Sequence, residues 1–199
     1  MIHINSKTIE KSFSYTEFRA FVTDSLANNV DALELNDDYL AYAKLNEARL
    51  HRLDKTLKAS EESAFYLNNL DRKVLWIAIT ESWCGDAAQS VPMLNKLAEL
   101  SDNVELKLVL RDKNLDLMDQ FLTNGGRAIP KLLIVDKQSL EVLADWGPRP
   151  TGARTLIEDY KKEHGVVDET CKIELQKWYT KDKGHEVEKE VIDLMKSVL

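Results

Sequence analysis

Apolar residues recur at helical spacing at both ends of the chain and crowd into short continuous runs in its middle. Near the start, Ser14 or Thr16 can cap a helix to about Asn28, with Phe18, Phe21, Val22 and Leu26 on one face. Asn36-Asp37-Asp38 opens a longer helix to about Leu57. Its second half has a clear stripe of Leu50, Leu53 and Leu57, and its first half is less cleanly patterned. A short helix from Glu61 to Leu70 carries Ala64, Phe65 and Leu67. Together these form a helical N-terminal extension over residues 1–70, which either packs on the core or serves as a partner-binding arm.

Val74–Thr80 is dense in β-branched and aromatic residues, which predicts a strand buried on both faces. A helix from Asp86 or Ala87 to Leu100 sets Ala87, Val91, Leu94, Leu97 and Ala98 at core spacing. Pro92 inside it removes a hydrogen bond and predicts a kink. Val104–Leu110 alternates and then continues apolar, as a strand with one face more buried than the other. Asn114–Thr123 predicts a helix closed by Gly125-Gly126. Ile129-Pro130 begins a third strand to Asp136, since proline suits a first or edge position. The turn Asp136–Ser139 leads into a fourth strand, Leu140–Trp146.

Thr151 then caps a helix to His164, with Leu156, Ile157 and Tyr160 inward. Asp168–Lys183 follows with Cys171, Leu175 and Trp178 on one side, and His185–Leu199 ends the chain. The first two crossovers predict parallel pairing, and the short turn predicts an antiparallel hairpin. The sum is an α/β fold, a four-stranded mixed sheet with helices on both faces. Residues 71–164 make its core, and a helical C-terminal extension covers 165–199.

The composition, with 44% hydrophobic and 31% charged residues, is that of an ordinary soluble domain with one sizeable core. A net charge of −7 argues against nucleic acid as a partner, because phosphate binding is built on Lys and Arg. The N-terminus has no apolar run resembling a signal peptide, and no segment reaches the roughly 20 apolar residues of a membrane span. The expectation is a cytoplasmic protein without a membrane partner. Cys84 and Cys171 do not make a disulfide framework. The four histidines are scattered without zinc spacing, and no Gly-rich phosphate loop is present, so neither a metal nor a cofactor is expected.

The stretch Trp83-Cys84-Gly85-Asp86-Ala87 places one thiol where a buried strand meets a helix N-terminus. Unpaired N–H groups and the helix dipole make such a cysteine a candidate nucleophile, and a small buried hydrophobe is the plainer reading. The dipole favours the thiolate by roughly 0.3–2 kcal/mol. Asp86 opposes it by about 2 kcal/mol at an assumed ~7 Å and an effective dielectric of ~20. Near balance predicts a thiol pKa of about 8.5. Asp86 is expected to satisfy free N–H groups in the first turn rather than to act as a general base. Trp83 is expected to pack beside the site. Cys171 falls on an apolar face and is read as a core residue.

Four features, in order and on matching elements, resemble the thioredoxin family over about Asp71 to His164. Trp83-Cys84-Gly85 looks like the start of that family's Trp-Cys-Gly-Pro-Cys motif. Pro92 stands where its second core helix has a kinking proline. Ile129-Pro130 looks like the Ile-Pro whose peptide is cis and faces the active cysteine, and Gly147 is similar to the glycine after the last strand. The Trp-Cys-Gly-Asp-Ala form is similar to a bacterial thioredoxin-like subfamily. The departures are chemical: Ala87 replaces the second cysteine, Asp86 replaces the proline, and the buried acid of the preceding strand falls at Ala78.

The resemblance therefore implies no dithiol cycle. It implies single-cysteine thiol–disulfide exchange in redox homeostasis, with Cys84 as nucleophile. Ile129 and Pro130 would shape a substrate groove, with Ile129 offering backbone groups to an extended peptide. Expected partners are protein or small-molecule disulfides, with a low-molecular-weight thiol as reductant. The rival expectation is a redox-inactive interaction module that keeps the fold.

Overall fold

β1, Val74–Thr80, is buried at all seven positions, as a strand covered on both faces must be. In the computed structural model, which describes residues 1–199, it is a central strand of a four-stranded sheet ordered β2-β1-β3-β4. β2, Val104–Leu110, runs parallel to β1 from Val74↔Val104 to Thr80↔Leu110. β3, Lys131–Asp136, runs antiparallel to β1, with Ile79 opposite Lys131 and Val74 opposite Asp136. β4, Val142–Trp146, pairs antiparallel with β3.

The direction of β3 corrects the expected second parallel crossover. β2 leaves the sheet at Leu110, beside Thr80, and β3 re-enters opposite Ile79 at that same end. Only a full-length return helix would bring the chain back to the opposite end, and none forms. The helix expected over Asn114–Thr123 shrinks to a single turn, Leu115–Met118. Beyond it the chain folds back, with Arg127 gripping Asp119 through two hydrogen bonds of 2.6 and 2.8 Å. Gly125 does not close a helix. It sits at φ 76° in a tight turn between Thr123 and Gly126, which bond each other at 2.9 Å in both directions.

Counting that turn as α6, the other helices are α1 (Ser6–Glu10), α2 (Tyr15–Asn28), α3 (Asp37–Thr56), α4 (Glu61–Asn68), α5 (Gly85–Ala98), α7 (Thr151–His164), α8 (Glu169–Asp182) and α9 (His185–Val198). Ser14 forms a capping box with Glu17 at the start of α2, and Asn36 caps α3. α5 continues through Pro92. It is buried at every position from Asp86 to Leu94, and its Val91, Leu94 and Leu97 share the main core with Trp76 and Ile77 of β1. None of the helices is long and apolar enough to cross a membrane.

α7 differs from its expected place. Only Ala153 of it is buried, in a small cluster with Leu175 and Tyr179 of α8. α9 supplies Val187, Val191, Ile192 and Met195 to the main core instead. Pro150, not Thr151, is the N-cap of α7 and offers no side-chain hydrogen bond. Its free N–H groups are taken by α9: Thr151 donates to Glu190 and Gly152 to Glu186, each at 2.7 Å. Both sheet edges are closed by the N-terminus. Ile4 N–H donates to Leu140 O and Val142 N–H to Ile2 O beside β4, both at 2.8 Å, while Phe13 exchanges two bonds with Leu108 of β2. The segment between these contacts, which includes α1, therefore runs from one edge of the sheet to the other.

Candidate functional site

β1 ends at Thr80, and two buried residues, Glu81 and Ser82, lead to Trp83 and Cys84. Cys84 is the N-cap of α5. Its extended backbone, φ −79° and ψ 114°, turns the sulfur back over the first helical turn, where Ala87 N–H donates to Sγ at 3.4 Å. The thiol itself donates to Ile129 O at 3.3 Å. The next peptide, Ile129–Pro130, is cis. Cys84 thus meets Ile129, whose carbonyl is engaged by the thiol rather than free for a peptide, while Pro130, expected to shape the groove, is buried and does not line the cleft over Cys84.

The loop after β4 completes this corner. Gly147 has φ 113°, and a Cβ there would collide with the carbonyl oxygen of Pro130. Only glycine allows the two backbones to touch. Arg149, two residues on, reaches Asp86 at 2.7 Å. Tyr179 of α8 donates its hydroxyl to the other oxygen of Asp86 at 3.0 Å. The expectation that Asp86 serves free N–H groups in the first turn is therefore corrected. Its buried carboxylate pairs with the half-buried Arg149, and the capping acceptor is the sulfur of Cys84. Burial raises the Tyr179 pKa well above 10.0, and Asp86 adds to that rise.

The same surroundings correct the expected thiol pKa. Burial and then the Asp86 carboxylate push Cys84 up to about 12, against which Ala87 N–H and Arg149 act weakly. The dipole is outweighed because the residue is only 7% exposed, so desolvation, left out of the sequence balance, dominates. Glu81, also buried, is raised to about 7 chiefly by desolvation, although Asp112 N–H donates to it at 2.9 Å. Ala78, at the position of the family's buried acid, lies between Leu108 and Leu132 with no exposure.

Trp83 stacks on Tyr39 of α3, ring centroids 4.4 Å apart and nearly parallel, and Arg111 lies 4.8 Å above the indole. Asn46 of α3, fully buried, donates to Ser82 O at 3.0 Å and accepts from Arg49 at 2.8 Å. α3 and α8 thereby wall a cleft of about 1040 Å³ over Trp83, Cys84, Gly85 and Asp86. Tyr39, Tyr42 and Leu45 line one side, and Val167, Ile173 and Leu175 the other. Four arginines (Arg49, Arg111, Arg127, Arg149) and three lysines of α8 (Lys172, Lys177, Lys181) also line it, against two acids, Asp86 and Glu169. Cys171 is free and fully buried near the start of α8, and is absent from the cleft lining. No group of three or more His, Cys, Asp and Glu side chains could hold a metal ion.

Sequence reasoning missed Arg49, Asn46, Arg149 and Tyr179, all distant in sequence from Cys84. The only local trace was the unclear patterning of the first half of α3, whose tyrosines face the cleft. A family model described as Thioredoxin matches residues 32–161, well over half the chain, so the chain belongs to the thioredoxin family. Two solved structures share the fold. One is a protein of unknown function from Pseudomonas aeruginosa, 17% identical, TM-score 0.62, with 94% of this chain and 99% of that chain covered. The other is an HIV epitope-scaffold, 14% identical, TM-score 0.63, with 98% of each chain covered. No curated protein matches the sequence.

Proposed function

We propose that the protein carries out thiol–disulfide exchange through Cys84 alone. One observation carries the reading: Cys84 is a lining residue of a large cleft, and its sulfur lies 3.3 Å from the Ile129 carbonyl that precedes the cis Pro130. In the exchange, the Cys84 thiol first loses its proton to solvent. Its sulfur bonds to one sulfur of the substrate, the substrate S–S bond breaks, and the departing thiolate takes up a proton. With Ala87 in place of a second cysteine, a small thiol from solution would release the mixed disulfide and regenerate Cys84. The high pKa makes the thiolate scarce, so exchange would be slow at neutral pH.

The redox-silent reading rests on that same pKa and on the hydrogen-bonded thiol. One comparison separates the two. Wild type, Cys84→Ser and Cys171→Ser are incubated with a mixed disulfide of a small thiol and excess reductant, and turnover is followed. Turnover in wild type and Cys171→Ser, lost in Cys84→Ser, is the expected result. Absence of turnover in all three assigns the protein to redox-silent binding.

A further inference from the structure

We propose that the cleft over Cys84 selects small anionic disulfides or thiols, docking their negative group on Arg49 and Gln176. The substrate class deepens the exchange reading and rests on it, while the anion site itself does not depend on Cys84 reacting.

The cleft is basic in a protein whose net charge is −7, so its lining opposes the overall field. Five of its seven cations already hold a carboxylate: Arg111 with Asp112, Arg127 with Asp119, Arg149 with Asp86, Lys172 with Glu169 and Lys177 with Glu174. Lys181 is solvent-exposed, where a lone cation is ordinary. Arg49 is different. It is half-buried, no carboxylate lies within 4.0 Å of it, and its one protein partner is the neutral Asn46. Burial and then the neighbouring Arg52 lower its pKa, and Asp86, which is committed to Arg149 and lies beyond ion-pair distance of Arg49, offsets only part of that. Leaving such a group unpaired costs stability unless something else supplies the charge.

Gln176 points at the same spot. Its Oε1 accepts from Gln89 at 2.8 Å, which leaves its amide N–H groups uncommitted. A Cβ on Gly85 would stand 3.5 Å from Arg49 Nη1 and 3.6 Å from Gln176 Nε2. Two donor groups therefore flank the residue that follows Cys84: Arg49 Nη1, which gives one hydrogen to Asn46 and keeps a second, and the uncommitted Gln176 Nε2. A carboxylate bound there places the rest of a short molecule against the thiol, with Tyr39, Tyr42 and Ile173 offering apolar surface to its carbon chain. The volume, about 1040 Å³, is just above the roughly 300–1,000 Å³ of small-ligand pockets.

Three small disulfides of similar length test this: dianionic dithiodipropionate, neutral hydroxyethyl disulfide and dicationic cystamine. Mixed-disulfide formation on Cys84 is followed by mass spectrometry at mildly alkaline pH and low salt. The dianion should react fastest, and Arg49→Gln should slow it about tenfold more than it slows the neutral reagent. Arg49→Lys should recover part of the loss, and the neutral reagent reports that each variant is folded. Equal rates for all three reagents, or a dianion rate indifferent to Arg49→Gln, overturns the anion site and leaves exchange standing. If no reagent modifies Cys84, the exchange reading fails. The anion site is then judged by Trp83 fluorescence as dithiodipropionate is titrated into Cys84→Ser with and without Arg49→Gln: quenching lost with Arg49 supports it, and no Arg49-dependent quenching overturns it.

Discussion

Cys84 is held as a thiol by three things acting together: exclusion of water, a carbonyl acceptor for its proton, and the carboxylate of Asp86. Asp86→Asn removes the last and frees the Arg149 charge to favour the thiolate. The alkylation profile of the wild type should keep rising about tenfold per pH unit up to pH ~10 without a plateau. In Asp86→Asn the midpoint should fall by about one unit or more. An unchanged profile would mean that desolvation alone sets the thiol. The position of the sulfur was legible in sequence, because Trp83-Cys84-Gly85 sits between a readable strand and a readable helix. Its chemistry was not, because Arg149 and Tyr179 arrive from elements that local pattern cannot bring near.

At the scale of elements, the corner where β3, β4 and α5 meet is fixed by backbone contact, and Gly147 is what permits it. Gly147→Ala combines an unfavourable φ with a collision against Pro130 O. It should cost about 2 kcal/mol or more, read as a lower urea midpoint, and should alter Cys84 alkylation as Ile129 O shifts. The strands and long helices followed from periodicity, since β1 is buried throughout and β2 alternates. What failed were features set by tertiary context. β3 reverses because the chain between Leu110 and Lys131 folds back on itself instead of forming a return helix, and α7 leaves the sheet to α9, whose sharper apolar stripe competes better for it. The blurred first half of α3 has a plain cause: its aromatic residues face a cleft instead of the core.

For the whole molecule, stability should carry the signature of Glu81. Its folded pKa is raised from 4.5 to about 7. Its contribution is therefore complete below pH 4.5, declines as pH rises and is lost above about 7. Glu81→Gln keeps an acceptor for Asp112 N–H but cannot ionise. It should be more stable than wild type above pH 7, by roughly 2 kcal/mol, with the difference fading toward acid. Equilibrium denaturation across that range checks it, and parallel curves would show that the carboxylate is not penalised by burial.

The N-terminal strap has a consequence for synthesis. Ile2, Ile4 and Phe13 leave the ribosome well before their partners on β2 and beside β4 are translated. Until then the nascent sheet has open rims and the strap has nothing to grip. The strap therefore grips the sheet only after the strands it borders have themselves been made.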